Sequence, residues 1–208
     1  MARKEDISYL PKEVLLQEYL RSLILNQGKI KENGILDVTA FLNHQIDPLL
    51  MRSLGEVIAE KFRNYSATKI LTAESSGIAP ALGTAMALGI PCIFAKKALP
   101  VTLGKTYQTS GESHTKGMKV AYFVDTRVLG PEDKVLIVDD FLASGGTIRA
   151  LVEICQQANA CVVGIATAIE KSFEGGRQSL ARYNIPIYSV VTITSMDENT
   201  GEFTFSED

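Results

Sequence analysis

Two adjacent carboxylates followed by a glycine-rich turn are the residues of this sequence best suited to chemistry. Residues 135–147 read VLIVDDFLASGGT, so that Asp139 and Asp140 directly follow four apolar residues. The apolar run predicts a buried strand, and open α/β sheets bind ligands beyond the carboxyl ends of their strands. The glycines allow backbone N–H groups to converge at the start of a helix, where they bind phosphate. The pattern therefore predicts a phosphate site beside a pair of acids.

The paired acids indicate which phosphorylated ligand fits this site. Three negative groups repel one another unless the ligand also brings hydroxyl groups and a cation. One carboxylate can accept hydrogen bonds from the 2′- and 3′-hydroxyls of a ribose, while Mg²⁺ offsets the remaining charge. No Lys follows Gly146, which excludes a Walker P-loop, and the absence of GxGxxG leaves dinucleotide binding unsupported. In the alternative interpretation, Asp139 and Asp140 only cap the following helix.

The acids lie within an alternation of strand and helix patterns. The sequence predicts strands at residues 69–73, 90–95, 134–138, 162–169 and 187–193. It predicts helices at residues 10–25, from Asp47-Pro48 onward, from the Ser75-Ser76-Gly77 turn to about Leu88, at 147–158 and at 176–182. Strands that alternate with helices predict an α/β fold with a central, mainly parallel sheet flanked by helices.

The alternation is interrupted at residues 96–125, which are polar and rich in Thr and Gly. Two β-like runs lie inside this region, at residues 106–110 and 119–124. A connection of this length inside a compact domain is typical of a lid over a binding site. The alternative is an inert hairpin at the edge of the sheet.

Length, charge and hydropathy limit the possible classes of protein. The chain of 208 residues, 46% hydrophobic and 22% charged, predicts a single globular domain over residues 1–208. A net charge of −3 without a basic stripe argues against a nucleic-acid partner. There is no apolar run of about 20 residues to span a membrane, and no signal-peptide core precedes the first helix. We therefore expect a cytoplasmic protein without a membrane partner.

The acid and glycine pattern is similar to the phosphoribosyl-pyrophosphate (PRPP) signature of the type I phosphoribosyltransferases. These enzymes transfer 5-phosphoribose from PRPP to a nitrogenous base and release pyrophosphate. Further segments resemble the xanthine phosphoribosyltransferase subfamily across nearly the whole chain: residues 41–48 (FLNHQIDP), 74–81 (ESSGIAPA), 94–97 (FAKK), 113–116 (SHTK) and 170–173 (EKSF). The PRPP pattern is common to the superfamily, whereas FLNHQIDP and EKSF are the specific part.

The resemblance implies a fold, a reaction and an assembly. It implies the type I phosphoribosyltransferase fold, with a small N-terminal hood from about residues 1–48 plus the C-terminal segment, and a flexible lid over residues 96–125. It implies transfer to xanthine in purine salvage, giving xanthosine 5′-monophosphate (XMP), with PRPP and xanthine as substrates and Mg²⁺ as cofactor. A homodimer is the assembly that the resemblance implies.

The resemblance also assigns roles to residues. Asp139 and Asp140 are expected to hold the ribose hydroxyls as the catalytic pair. The expected PRPP contacts are Ala143, Ser144, Gly145, Gly146 and Thr147 to the 5-phosphate, Glu74, Ser75, Ser76 and Gly77 to pyrophosphate with its Mg²⁺, and Lys97 and Lys116 on the lid. The expected purine contacts are Leu36, Asn43 and Lys171. No metal site built from protein ligands alone is expected.

Four of these residues also fit their roles by their own chemistry. The ammonium of Lys171 donates to a carbonyl oxygen, which favours a 6-oxopurine over the amino group of adenine; the alternative is a surface lysine after a strand. Asn43 offers both a donor and an acceptor to an oxopurine edge, although an Asn in this position is often a helix cap. Lys97 and Lys116 can neutralise departing pyrophosphate, or they are simply solvated.

Two departures from the resemblance affect the chemistry. Hypoxanthine and guanine enzymes of the superfamily carry an Asp where this chain has Ala143, so that substrate class is disfavoured and an obvious general base is missing. We therefore hypothesise that the purine attacks already deprotonated, with catalysis by positioning and charge stabilisation. Ala98-Leu99-Pro100 replaces a usually more basic stretch, which weakens the case for pyrophosphate contacts there.

Two other functions remain open from the sequence. An adenine phosphoribosyltransferase shares the PRPP pattern, but Lys171 and the FLNHQIDP segment argue against it. A PRPP-sensing transcriptional regulator can reuse this fold, but such proteins add a DNA-binding module. Only about 30 residues with a single predicted helix precede the hood segment here, and the charge is acidic.

Overall fold

A computed structural model of the chain describes residues 10–99, 104–113 and 118–207. The helices are α1 (Lys12–Gln27), α2 (Pro48–Phe62), α3 (Ile78–Leu88), α4 (Gly146–Gln157) and α5 (Gly176–Leu180). The strands are β1 (Lys29–Lys31), β2 (Ile35–Asp37), β3 (Lys69–Ala73), β4 (Cys92–Ala95), β5 (Thr106–Ser113), β6 (Met118–Asp125), β7 (Lys134–Leu142), β8 (Cys161–Lys171), β9 (Ile187–Met196) and β10 (Phe203–Phe205). In the part of the chain described, no helix is long and apolar enough to cross a bilayer.

The main sheet has six strands in the order β10-β9-β8-β7-β3-β4 and is parallel apart from its edge strand β10. Alternate residues of β7 face two separate cores, as the two-residue period of a strand requires. Leu136 and Val138 pack with α1, α2 and α3 on one face, whereas Val135 and Ile137 pack with α4 on the other. The predicted α/β fold, with helices on both faces of a mainly parallel sheet, is confirmed.

The strands beside the acids are longer than predicted. β7 continues through Asp139 and Asp140 to Leu142, because it pairs with β8 as far as Leu142↔Glu170. The predicted strand of residues 134–138 was therefore too short: both acids belong to the strand. β8 likewise extends to Lys171, which pairs with Ile193 of β9.

The N-terminal elements form a layer over the carboxyl end of the sheet. β1 and β2 make a short antiparallel pair, and a π-helical turn, Thr39–Asn43, follows. Asp47, not Asn43, caps α2, since its carboxylate accepts from the N–H groups of Leu49 and Leu50 at 2.8 and 3.2 Å. The capping interpretation of Asn43 is excluded.

Residues 104–113 and 118–125 contain the stem of an antiparallel hairpin, in which Thr106 pairs with Asp125. Two contacts fasten the stem to α4. Thr109 Oγ1 donates to Glu153 at 2.6 Å, and Gln157 Nε2 donates to the carbonyl of Gln108 at 2.9 Å. The predicted lid region therefore includes two strands that pack on a helix of the main fold.

Candidate active site

A cavity of about 220 Å³ opens at the carboxyl ends of β3, β7 and β8. Most of the residues predicted for the site line this cavity: Leu36, Asn43, Glu74, Ser76, Lys97, Asp139, Asp140, Ala143, Ser144, Gly145, Gly146, Thr147 and Lys171. Residues predicted for the purine, ribose, 5-phosphate and pyrophosphate therefore share one space. Ser75 and Gly77 do not line it, and Lys116 lies outside the described residues.

The glycine turn before α4 has the geometry of an anion site. Gly145 has φ +80°, and a β-carbon there would lie 2.7 Å from Ser179 Oγ, so only glycine fits. Ser179 Oγ donates to the carbonyl of Ser144 at 3.1 Å, which holds the turn against α5. The N-cap residue Gly145 makes no side-chain cap to α4, so the first N–H groups of the helix are available to a phosphate.

Asp139 and Asp140 are buried at the end of β7, with exposed fractions of 5% and 7%. Burial raises the pKa of both carboxyls, and the charge of Asp140 raises the pKa of Asp139 further. A hydrogen bond from Ser76 lowers the pKa of Asp140, and the charge of Lys97 lowers the pKa of Asp139. Hydroxyl donors or a cation in the cavity would favour the ionised pair, as a ribose with Mg²⁺ does.

The turn after β3 adjoins the acids. Glu74 N donates to the carbonyl of Ala95 at 3.0 Å, and the Glu74 carboxylate accepts from Lys97 N at 2.5 Å. These bonds hold the start of the lid region beside the turn. Gly77 packs against Asp139 behind the cavity wall, because a β-carbon at position 77 would lie 2.2 Å from Asp139 Oδ1. Gly77 is thus a packing residue in this geometry, whereas Glu74 and Ser76 face the cavity.

The three residues predicted for the purine, Leu36, Asn43 and Lys171, all line the cavity. Lys171 is 5% exposed, so it is not the surface lysine of the alternative interpretation. Its ammonium pairs with Glu174 and lies 3.4 Å from the carbonyl of Gly34. A buried ammonium whose charge is balanced by a neighbouring carboxylate can be held ready to donate to an oxygen of the base.

Sequence reasoning missed several residues that line the cavity: Ile35, Ala73, Tyr122, Phe141 and Ile148. Phe141 directly follows the acid pair, so its sequence position offered a signal. Tyr122 comes from the hairpin, and nothing in its local sequence indicates that it reaches the glycine turn.

Comparison with known proteins identifies the family of the chain. The phosphoribosyl transferase domain family matches residues 43–207. The xanthine phosphoribosyltransferase of Moorella thermoacetica is 45% identical over 187 residues, covering 89% of this chain and 95% of the relative. That of Deinococcus deserti is 43% identical over 173 residues, covering 83% of this chain and 90% of the relative.

Solved structures show the same fold. The adenine phosphoribosyltransferase of Rhodothermus marinus has a TM-score of 0.72 at 26% identity, covering 86% of this chain and 99% of that one. An adenine phosphoribosyltransferase of Trypanosoma brucei, solved with AMP, pyrophosphate and ribose-5-phosphate, has a TM-score of 0.69 at 20% identity, covering 88% of this chain and 82% of that one. The match over residues 43–207 and the relatives from Moorella thermoacetica and Deinococcus deserti show that the chain belongs to the phosphoribosyl transferase family, and within it to the xanthine phosphoribosyltransferases.

Proposed function

We propose that the chain transfers the 5-phosphoribosyl group of PRPP to xanthine, giving XMP and pyrophosphate. The observation that carries this proposal is the buried ammonium of Lys171 in the same cavity as the acid pair and the glycine turn. An ammonium only donates, so it favours the exocyclic oxygens of xanthine over the amino group of adenine. The curated relatives named above are xanthine phosphoribosyltransferases, which supports the same choice of base.

In the proposed reaction, one bond forms and one breaks at C1 of the ribose. The bond from C1 to the pyrophosphate oxygen breaks and pyrophosphate leaves with the electron pair, while a ring nitrogen of the purine bonds to C1. The purine loses its proton to solvent before it attacks, since Ala143 supplies no base next to it. The enzyme then contributes orientation of the reactants and stabilisation of charge at the ribose and on pyrophosphate.

Each wall of the cavity has a role in this proposal. Asp139 and Asp140 accept hydrogen bonds from the ribose hydroxyls and balance positive charge at C1, while residues 143–147 hold the 5-phosphate. The turn of residues 74–77 receives pyrophosphate, with Lys97 and Lys116 as its counter-charges. Leu36 and Asn43 of the hood, with Lys171, hold the purine.

The residues present fit a magnesium ion that arrives with PRPP. Mg²⁺ in proteins commonly binds one or two carboxylates together with substrate phosphates. Within the described ranges no group of three or more His, Cys, Asp or Glu side chains could hold a metal alone, whereas Asp139, Asp140 and Glu74 line the cavity. These carboxylates would hold the ion, which offsets the charge of pyrophosphate when bound.

The proposal extends to the organisation of the protein. We infer one domain over residues 1–208, with the hood at about residues 1–48 plus the C-terminal segment and the lid at residues 96–125. We also infer a cytoplasmic homodimer without nucleic-acid or membrane partners.

Initial rates with PRPP and Mg²⁺ against xanthine, guanine, hypoxanthine, adenine and orotate test the proposed function. We expect a clear preference for xanthine, with guanine as the nearest competitor because it differs from xanthine at one exocyclic group. Preference for adenine would retain the PRPP site but contradict the purine site. Intact PRPP binding without turnover of any base would contradict the enzyme and favour a PRPP sensor.

A further inference from the structure

A tyrosine of the hairpin lies at the glycine turn. Tyr122 of β6 is 1% exposed, and its ring packs in the core that α4 shares with the sheet. Its hydroxyl lies 3.2 Å from Oγ1 of Thr147, within hydrogen-bond distance, and both residues line the cavity. A side chain from a separate element therefore contacts the first turn of α4, where the 5-phosphate is proposed to bind.

The backbone position of Tyr122 is set by contacts other than Thr147. Tyr122 pairs across the hairpin with Thr109, whose hydroxyl donates to Glu153 at 2.6 Å. Gln157 and Gln108 exchange two further hydrogen bonds, at 2.9 and 3.2 Å. Because Glu153 and Gln157 lie in the second half of α4, the hairpin is fastened along the helix and presents Tyr122 to its first turn.

Once a phosphate is bound, the hydrogen bond between the hydroxyls of Tyr122 and Thr147 has a preferred direction of donation. Each hydroxyl has a single hydrogen, and a phosphate oxygen only accepts. If the phenol donates to Thr147 Oγ1, the threonine hydrogen is directed away from the tyrosine and toward an acceptor in the cavity. Burial raises the pKa of Tyr122 by more than the hydrogen bond with Thr147 lowers it, and the charge of Asp139 raises it further, so the phenol retains its proton.

We propose that Tyr122 is a positioning residue for the 5-phosphate of PRPP, which it orders by donating to Thr147 so that Thr147 donates to the phosphate. This inference rests on the proposed function, because it takes PRPP as the ligand of the glycine turn. It adds to the phosphate site a residue of the hairpin, a part of the chain outside the PRPP signature.

Removal of the phenol hydroxyl tests the inference. Tyr122→Phe keeps the buried ring, and we expect it to raise KM for PRPP about three- to ten-fold with kcat and KM for xanthine unchanged. The inhibition constant of ribose 5-phosphate should rise by the same factor, whereas that of pyrophosphate should not change. Tyr107→Phe is the matched control, because Tyr107 is half-buried on the neighbouring strand and does not line the cavity.

A double-mutant cycle separates positioning from a general effect on structure. We expect Tyr122→Phe to have no further effect on KM for PRPP in a Thr147→Val background. If Tyr122→Phe raises KM for PRPP by the same factor in the wild type and in Thr147→Val, the inference is overturned. A wild-type KM in the single variant would also overturn it, as would a loss of thermal stability with parallel changes in kcat and both KM values.

Calorimetric titration with Mg²⁺ and PRPP, without a purine, distinguishes this inference from the proposed function. A wild-type protein that binds PRPP but does not convert xanthine contradicts the proposed function. In that case the titration still tests the inference, because it compares the PRPP affinities of the wild type and Tyr122→Phe. A Tyr122→Phe protein that binds PRPP like the wild type overturns the inference alone. Failure of the wild type to bind PRPP contradicts both.

Discussion

A β-carbon on Gly77 would lie 2.2 Å from Oδ1 of Asp139, so the turn after β3 packs directly against the acids of β7. The same β-carbon would lie 2.2 Å from Oγ1 of Thr72, on the buried strand β3. Neither neighbour is the free end of a long side chain, so an added β-carbon would displace one of the two side chains or the turn itself. The absence of a side chain at position 77 therefore lets the turn of residues 74–77 pack against the acids of β7.

Gly77→Ala should reduce kcat/KM for PRPP more than 100-fold, because it displaces Asp139 or the turn. Overpacking of this kind also costs about 1–3 kcal/mol in the free energy of unfolding. Gly130→Ala is the control, since a β-carbon at Gly130 would have no neighbour within 4 Å. Initial rates and urea unfolding measure both effects, and wild-type kinetics in Gly77→Ala would contradict the packing described here.

Lys171→Ala should lower kcat/KM for xanthine more than ten-fold, which is about 1.4 kcal/mol of transition-state stabilisation. Binding of PRPP should change little, because the proposed function assigns Lys171 to the purine. The variant leaves the carboxylate of Glu174 without its ammonium, so Lys171→Ala/Glu174→Gln serves as a second variant that removes both charges. Equal losses for xanthine and PRPP in both variants would indicate a general disruption of the fold.

Asp139→Asn should abolish turnover but stabilise the free protein at neutral pH. Burial and Asp140 raise the folded-state pKa of Asp139 above its ordinary value of 3.8, so the fold favours the neutral carboxyl. The stability that the neutral carboxyl contributes to the wild type is fully present below the ordinary pKa of Asp139. It is lost as the pH rises through the folded-state pKa. Urea unfolding should show an advantage for the Asp139→Asn variant that grows with pH and vanishes near pH 4. A variant less stable than the wild type at pH 7.5 would show that the ionised pair does not strain the fold.

The pH dependence of kcat/KM for xanthine should follow ionisation of the free purine, because Ala143 provides no general base. A more acidic analogue, 8-azaxanthine, should shift the rising limb of the profile to lower pH by the difference in ligand pKa. Rate profiles with both purines at saturating PRPP measure this shift. If the rising limb lies at the same pH for both purines, the ionisation belongs to a group on the enzyme.

The parts of the fold that sequence patterns predicted are those determined locally. Continuous apolar runs indicated the parallel strands, and α3 ends at Leu88 as predicted, with Gly89 after it at φ +69°. The glycine turn was recognisable because its conformation depends on Gly145 itself. These features need no knowledge of distant partners, so single-sequence reasoning reaches them.

The parts that sequence patterns missed depend on pairing between distant segments. The extension of β7 through Asp139 follows from its register with β8, and β10 exists because Phe203 pairs with Met196 across a turn. Tyr122 reaches Thr147 only because the hairpin packs along α4. Lys171 is buried, and its ammonium lies against the carbonyl of Gly34, far away in the sequence, a contact that a strand pattern does not encode.

Competition between xanthine and adenine at equal concentrations, with limiting PRPP and Mg²⁺, tests the central claim most directly. Mass spectrometry of the nucleotide products reads the ratio of the two kcat/KM values in a single reaction. Our account predicts that almost all of the product is XMP, because Lys171 donates to an oxygen that adenine lacks. A product consisting mainly of AMP would contradict the assignment of the purine site while leaving the PRPP site in place.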